Sequence, residues 1–181
     1  MRTQISEQPP AAALTAMRQA RLATPFGEIA LYATAAGLSR VLLPGEASPA
    51  LERMPPARAS DGAPNDGDAL LHEACAQLSA YFAGNRRAFD LPLDLRGTAF
   101  QRQVWSAVSA IPYSKTQSYQ QIARVIERPA AVRAVGAANG ANPLPIIIPC
   151  HRVIGANGSL TGYGGGLEMK QRLLTLERSA T

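Results

Sequence analysis

Residues 145–153 read Pro-Ile-Ile-Ile-Pro-Cys-His-Arg-Val. The isoleucine run predicts a buried strand, too short and too β-branched for a helix. Pro149 ends it, having no N–H to give to a sheet. Cys150, His151 and Arg152 follow as nucleophile, base and cation where the backbone is expected to leave the core. Thiolate is the attacking form of cysteine, and a neighbouring imidazole or positive charge raises its population. On the triplet alone, a cysteine closing a strand beside a chance histidine fits equally well.

The 181 residues suffice for one compact domain or two small ones, and a hydrophobic content of 46% argues against wholesale disorder. No apolar run approaches the roughly 20 residues of a membrane span, and the N-terminus lacks the apolar core of a signal peptide. A cytoplasmic protein is expected. Charge is unevenly placed. Residues 1–96 carry nine Arg against ten acids, whereas residues 97–181 carry seven Arg and two Lys against three acids, a net of +6. The basic excess lies wholly in the half holding Cys150, which favours a polyanionic partner, nucleic acid being the commonest. Ordinary surface solubility is the alternative.

Two cysteines do not make a disulfide framework. Leu71, Cys75, Leu78 and Phe82 share one face of a predicted helix, Ala69–Phe82, so Cys75 reads as a small core residue. His72 lies three residues earlier, but two ligands without a further Cys or His cluster do not make a zinc site.

Residues 1–20 read as a loosely ordered tail. Arg21–Thr24, Glu28–Thr34 and Leu38–Leu43 predict short strands, the last two forming a hairpin. Pro44 to Asp68 is rich in turn formers and reads as a loop. Leu91–Arg96 is a strand or crossing segment, and the domain junction is placed near Arg96, giving units 21–96 and 97–181. The second unit is mostly helical. Phe100, Val104, Val108 and Ile111 form a helical stripe ended by Pro112, and Ser118 with Gln121 makes a capping box for a helix to Ile126. Glu127-Arg-Pro129 reads as a three-residue turn, with Pro129 opening a helix that runs through Ala130–Asn139. This spacing fits a helix-turn-helix or a plain helical hairpin equally well. The second helix is built of Ala and Gly around a single long residue, Arg133, and lacks the side chains for base-specific readout. It could approach a groove wall closely or pack inside the protein.

Pro-Cys-His-Arg-Val, with Arg133-Ala-Val-Gly-Ala-Ala-Asn-Gly-Ala-Asn-Pro143 before it and Gly162-Tyr-Gly-Gly-Gly-Leu-Glu-Met-Lys170 after it, closely resembles the O6-alkylguanine-DNA alkyltransferases. The likeness runs from about Phe100 to Glu177, and more loosely through Thr24-Pro-Phe-Gly-Glu-Ile-Ala-Leu31. It implies an α+β fold: a small N-terminal α/β domain, then a winged-helix-like DNA-binding domain with a helix-turn-helix. It implies single-turnover transfer of an alkyl group from guanine O6, and from thymine O4, in double-stranded DNA to Cys150 after base flipping. By resemblance, His151 is the base acting through a water and Glu177 orients it. Tyr119, Asn142, Val153, Tyr163 and the Gly164 N–H form the substrate pocket. Gln101, Tyr119, Gln120, Arg128 and Arg133 contact DNA, Arg133 filling the gap left by the flipped nucleotide. No cofactor, metal or membrane is implied, and the protein is expected to act as a monomer. Gly164 stands where some relatives have serine, which bears on pocket width. The family's zinc-binding members have no counterpart here.

From the residues alone, Glu177 reads first as a solvated carboxylate beside Arg178, and only second as a partner of His151. Gly162-Tyr-Gly-Gly-Gly166 lacks the Walker lysine of a phosphate loop. Two rivals remain. A binding-only alkyltransferase-like protein would lack the cysteine, and a Cys-His-Glu hydrolase would turn over on a small ester or peptide.

Overall fold

The computed structural model describes residues 17–46 and 66–179. Most of the expected tail and most of the 44–68 loop therefore lie outside the described residues. Strands β1 (Arg18–Thr24), β2 (Gly27–Thr34) and β3 (Gly37–Leu42) form an antiparallel sheet in that order. β1 starts three residues before its expected position. The first turn is closed by Thr24, whose hydroxyl donates to the Gly27 carbonyl and accepts from the Phe26 N–H. At the second turn Gly37 lies so close to Pro92 that a Cβ would meet the Pro92 carbonyl oxygen at 2.6 Å. That approach lets Leu38 exchange backbone hydrogen bonds with the crossing segment, donating to Pro92 and accepting from Asp94.

Ile29, Leu31 and Ala33 alternate onto the inner face of β2, as a half-buried strand requires. Helix α1 (Asp66–Phe82) covers them with Leu71, Ala74, Leu78, Tyr81 and Phe82. Cys75 is half-buried at the edge of this face. The predicted start at Ala69 was one turn short.

Helix α2 (Ala99–Ser109) opens on a capping box between Thr98 and Gln101 and buries Val104, Trp105 and Val108. Helix α3 (Tyr119–Val125) opens on the Ser118–Gln121 box that the sequence predicted. Helix α4 (Val132–Gly140) begins later than expected. Glu127, at φ 59°, turns the chain left-handed, and the Arg128 N–H returns to the Ala123 carbonyl. That closure lengthens the turn beyond three residues, so Pro129 precedes the helix rather than starting it. α2 and α4 are pinned by the Trp105 indole N–H, which donates to the Ala138 carbonyl at 2.8 Å. Strands β4 (Gln117–Ser118) and β5 (Val153–Ile154) pair in parallel, and helix α5 (Gly166–Ser179) closes the described chain. Among the described residues no helix is long and apolar enough to cross a membrane.

One expectation fails outright. Residues 145–149 are not a strand but a turn, with an isolated bridge between Pro145 and Ile148. Ile146 sits at φ 76°, a region that costs a β-branched residue about 1–3 kcal/mol. Asn142 holds the turn by donating to the Ile148 carbonyl at 2.8 Å and accepting from the Leu144 N–H at 3.0 Å. The isoleucines are apolar because the turn is buried.

Candidate active site

The turn feeds directly into a single 3-10 turn, Cys150–Arg152, with Pro149 at its start. Its geometry is fixed by the Cys150 N–H to Ile148 carbonyl bond, 2.7 Å, and the Arg152 N–H to Pro149 carbonyl bond, 2.9 Å. Successive side chains on so tight a turn point in different directions. Cys150 faces a small cleft, partly open to solvent, walled by Leu43, Glu46, Asn142, Tyr163 and Gly164 among others. His151 and Arg152 face inward to a carboxylate.

That carboxylate is Glu177, fully buried on α5. Its Oε1 accepts from the Tyr81 hydroxyl at 2.7 Å and Arg152 Nη2 at 2.9 Å, and pairs with His151 Nε2 at 2.8 Å. Oε2 accepts from the Ser114 backbone N–H and from Arg152 Nε, both at 3.0 Å. Burial alone would raise the Glu177 carboxyl, but hydrogen bonds and charge from His151 and Arg152 outweigh it and bring the group down to about 2. Burial pushes His151 below its ordinary value, and Glu177 offsets this only in part. The imidazole is therefore neutral beside an ionised carboxylate. Nε2 must carry the proton that Glu177 accepts, which leaves Nδ1 as a lone pair. Nδ1 is buried and has no hydrogen-bond partner among the described residues.

The thiol departs from the sequence expectation. Burial pushes Cys150 up to about 11, although the Asn142 side chain and the Lys170 charge pull it part of the way back. At neutral pH the resting group is thus a thiol, and His151 does not hold it ionised. Tyr163 behaves alike: burial first, then the charges of Cys150 and Glu46, raise its hydroxyl well above the ordinary value. That hydroxyl is buried, has no partner among the described residues, and remains a donor at neutral pH.

Cys150, Asn142, Tyr163 and Gly164 are brought together around the cleft, with His151 and Glu177 behind them. Two expected pocket residues are not among the cleft-lining residues. Val153 is fully buried in β5 and contributes its carbonyl, which accepts from Lys170. Tyr119 instead donates from its hydroxyl to the Thr161 carbonyl at 3.3 Å. Of the expected DNA contacts, Gln101 is engaged as the α2 cap. Gln120 and Arg128 are exposed, the latter 6.0 Å over the Phe100 ring. Arg133 is exposed in the first turn of α4 and makes no hydrogen bond or ion pair among the described residues. It shares that surface with Ala134, Ala137 and Gly140, while Val135, Ala138 and Asn139 face the core.

Sequence reasoning passed over Lys170, Tyr81 and Glu46. Lys170 is fully buried and donates from Nζ to the carbonyls of Val153 (2.7 Å), Thr161 (2.6 Å) and Gly162 (3.4 Å), tying down the loop that carries Tyr163. Burial lowers it to about 8. Its signal was present: Lys170, Leu173, Leu174 and Glu177 fall on one helical face, where two charges among apolar residues need partners. Among the described residues no three His, Cys, Asp or Glu side chains come together as a metal set.

Residues 17–95 match the family described as 6-O-methylguanine DNA methyltransferase, ribonuclease-like domain, and residues 99–179 match its DNA binding domain. A methylated-DNA--protein-cysteine methyltransferase of Mycolicibacterium paratuberculosis is 63% identical over 105 residues, or 58% of this chain and 64% of that protein. The inducible enzyme of the same name from Bacillus subtilis is 53% identical over 116 residues, covering 64% of this chain and 65% of its own length. The matched part thus spans less than two thirds of either relative. The crystal structure of Mycobacterium tuberculosis O6-methylguanine methyltransferase superposes with a TM-score of 0.80 at 43% identity, covering 91% of this chain and 94% of that one. The same organism's OGT in complex with DNA gives 0.76 at 44% identity, covering 90% and 94%.

Proposed function

This chain belongs to the 6-O-methylguanine DNA methyltransferase family, and from that premise we propose that it repairs alkylated DNA by taking an alkyl group from guanine O6 onto Cys150. The observation that carries the reading is the neutral His151, its Nε2 proton held by Glu177 at 2.8 Å and its Nδ1 lone pair unpaired, in the residue next to a buried thiol. A base so arranged accepts the thiol proton, relayed through a water, as the sulfur attacks, and Glu177 stabilises the imidazolium that forms. The Cys150 Sγ–carbon bond forms as the carbon–O6 bond breaks, and the bonding pair leaves on the oxygen. Tyr163 O–H and Gly164 N–H are the donors for that oxygen, and the base is released as guanine after regaining one proton. Thymine O4 adducts present the same alkyl–oxygen bond.

Guanine O6 lies inside a duplex, so the nucleotide must be extruded into the cleft. The small-residue face of α4 suits close approach to DNA independent of sequence, and the exposed Arg133 in its first turn supports a role in holding the vacated stack. Nothing in the site can break a thioether, so each molecule reacts once. The test is mass spectrometry after incubation with a duplex containing O6-methylguanine. One methyl on the Cys150 peptide, at one equivalent per protein, is expected. A methyl on Cys75, or many turnovers per molecule, would overturn the reading and bring back the hydrolase.

A further inference from the structure

Glu46 lies outside the catalytic group, on the turn after β3, yet its carboxylate reaches the cleft that holds Cys150. The turn Leu43–Glu46 is closed twice: the Glu46 N–H donates to the Leu43 carbonyl at 3.0 Å, and Glu46 Oε2 accepts from the Leu43 N–H at 2.9 Å. A surface glutamate usually wanders, but this one is tied back to its own turn. Its other oxygen, Oε1, stands against Gly164. A Cβ built on Gly164 would overlap Glu46 Oε1 and come within 3.4 Å of its Cδ. The glutamate thus fills the volume that a serine at 164 would need. Among the described residues lining the cleft, Glu46 is the only charged side chain. Lys170, whose charge reaches Cys150, has its donors committed to three carbonyls. Burial is the main cause of the upward shifts of Cys150 and Tyr163, and the negative charge of Glu46 at the cleft mouth adds to both.

We propose that Glu46 is a specificity-determining residue, whose fixed carboxylate opposite Gly164 makes the cleft select neutral alkyl groups over those ending in a negative charge. This rests on the alkyl-transfer reading above. A carboxymethyl group on O6 brings a second carboxylate into the cleft that Glu46 lines, where like charges repel. The bare Cα of Gly164 is what leaves room for Glu46 Oε1 in this position.

The experiment measures the rate of Cys150 alkylation from duplexes carrying O6-methylguanine, O6-carboxymethylguanine or the neutral, similarly long O6-propylguanine. Wild type is compared with Glu46→Gln, which keeps an acceptor for the Leu43 N–H and so preserves the turn. The carboxymethyl-to-methyl rate ratio should rise on the order of ten-fold in Glu46→Gln, while the propyl-to-methyl ratio holds. Gly164→Ser, by displacing the carboxylate, should raise the first ratio as well. A carboxymethyl-to-methyl ratio unchanged within two-fold would overturn the proposal while leaving alkyl transfer intact. Equal gains for carboxymethyl and propyl would also overturn it, because Glu46 would then act by bulk. Absence of methyl transfer in wild type would instead remove the reading on which it rests.

Discussion

Replacing Glu177 by Gln should cost stability in a pH-dependent way. The Glu177 carboxylate is fully buried and serves Tyr81, Ser114, His151 and Arg152. Its ordinary value of 4.5 falls to about 2 in the fold. A shift of that size is worth about 3 kcal/mol of preference for the ionised form in the folded state. The sign follows from depression: the stabilisation is complete above the unfolded value and is lost as pH drops through the folded one. By linkage, about 2 of those 3 kcal/mol are gone at pH 3. The glutamine also turns an amide N–H₂ toward donors and leaves Arg152 without its counter-charge, a loss of about 3–5 kcal/mol for a broken buried pair. Glu177→Gln should therefore be several kcal/mol less stable at pH 7. The gap to wild type should narrow by about 2 kcal/mol at pH 3.

Denaturant titrations of both proteins at pH 7, 5 and 3 measure this directly, with refolding checked so that equilibrium applies. Little narrowing should appear between pH 7 and pH 5, because both lie above the unfolded value. A gap independent of pH, or one below about 1 kcal/mol at neutral pH, would mean that the carboxylate is not held as described. The same variant should slow alkyl transfer, since nothing else fixes the His151 tautomer.

Arg133→Ala should slow repair in duplexes but not reaction with free O6-benzylguanine. Support for extrusion, which costs a few kcal/mol, matters only where a base must leave the stack; equal losses would assign Arg133 to the fold. DNA binding by the full chain should weaken steeply with salt and barely distinguish unmodified sequences, and a strong sequence preference would contradict the small-residue face of α4. Lys170→Met should loosen the Tyr163 loop and slow transfer. Because Lys170 is lowered to about 8 from 10.5, wild type should gain stability relative to this variant as pH rises between those values, and a flat difference would refute its burial as a cation. Iodoacetamide labelling of Cys150 should climb about ten-fold per pH unit from pH 7 to 10, as expected of a thiol near 11. A plateau near pH 7 would show a resting thiolate.

The sequence declares what is local. Helix α3 and its Ser118–Gln121 cap, the β2–β3 hairpin and the apolar faces of α1 and α2 follow from spacing alone. Gln101 shows where spacing is ambiguous: Thr98-x-x-Gln101 is also a capping box, and the structure uses it as one. The isoleucine run failed for a different reason. β-branched residues favour strands, but Asn142 supplies the backbone partners of a turn, and Ile146 takes the left-handed region to follow it. That exchange depends on side-chain hydrogen bonds across the turn, which hydrophobic patterning does not reveal.

What the residue types could not settle is the direction in which burial moves each group. Cys beside His suggests an activated thiolate, yet desolvation acts on both partners at once. It penalises the thiolate, leaving Cys150 protonated, and it penalises the imidazolium, leaving His151 neutral. Glu177 is carried the other way, because hydrogen bonds and charge from His151 and Arg152 outweigh its burial. The result is a neutral pair poised in front of a fixed negative charge. Such a pair gains little from ionising at rest, since burial penalises the thiolate and the imidazolium alike. It gains when an alkyl carbon accepts the sulfur electrons and the proton moves to a base already backed by Glu177. On the proposed reading, burial keeps the nucleophile unspent until the alkyl group is seated.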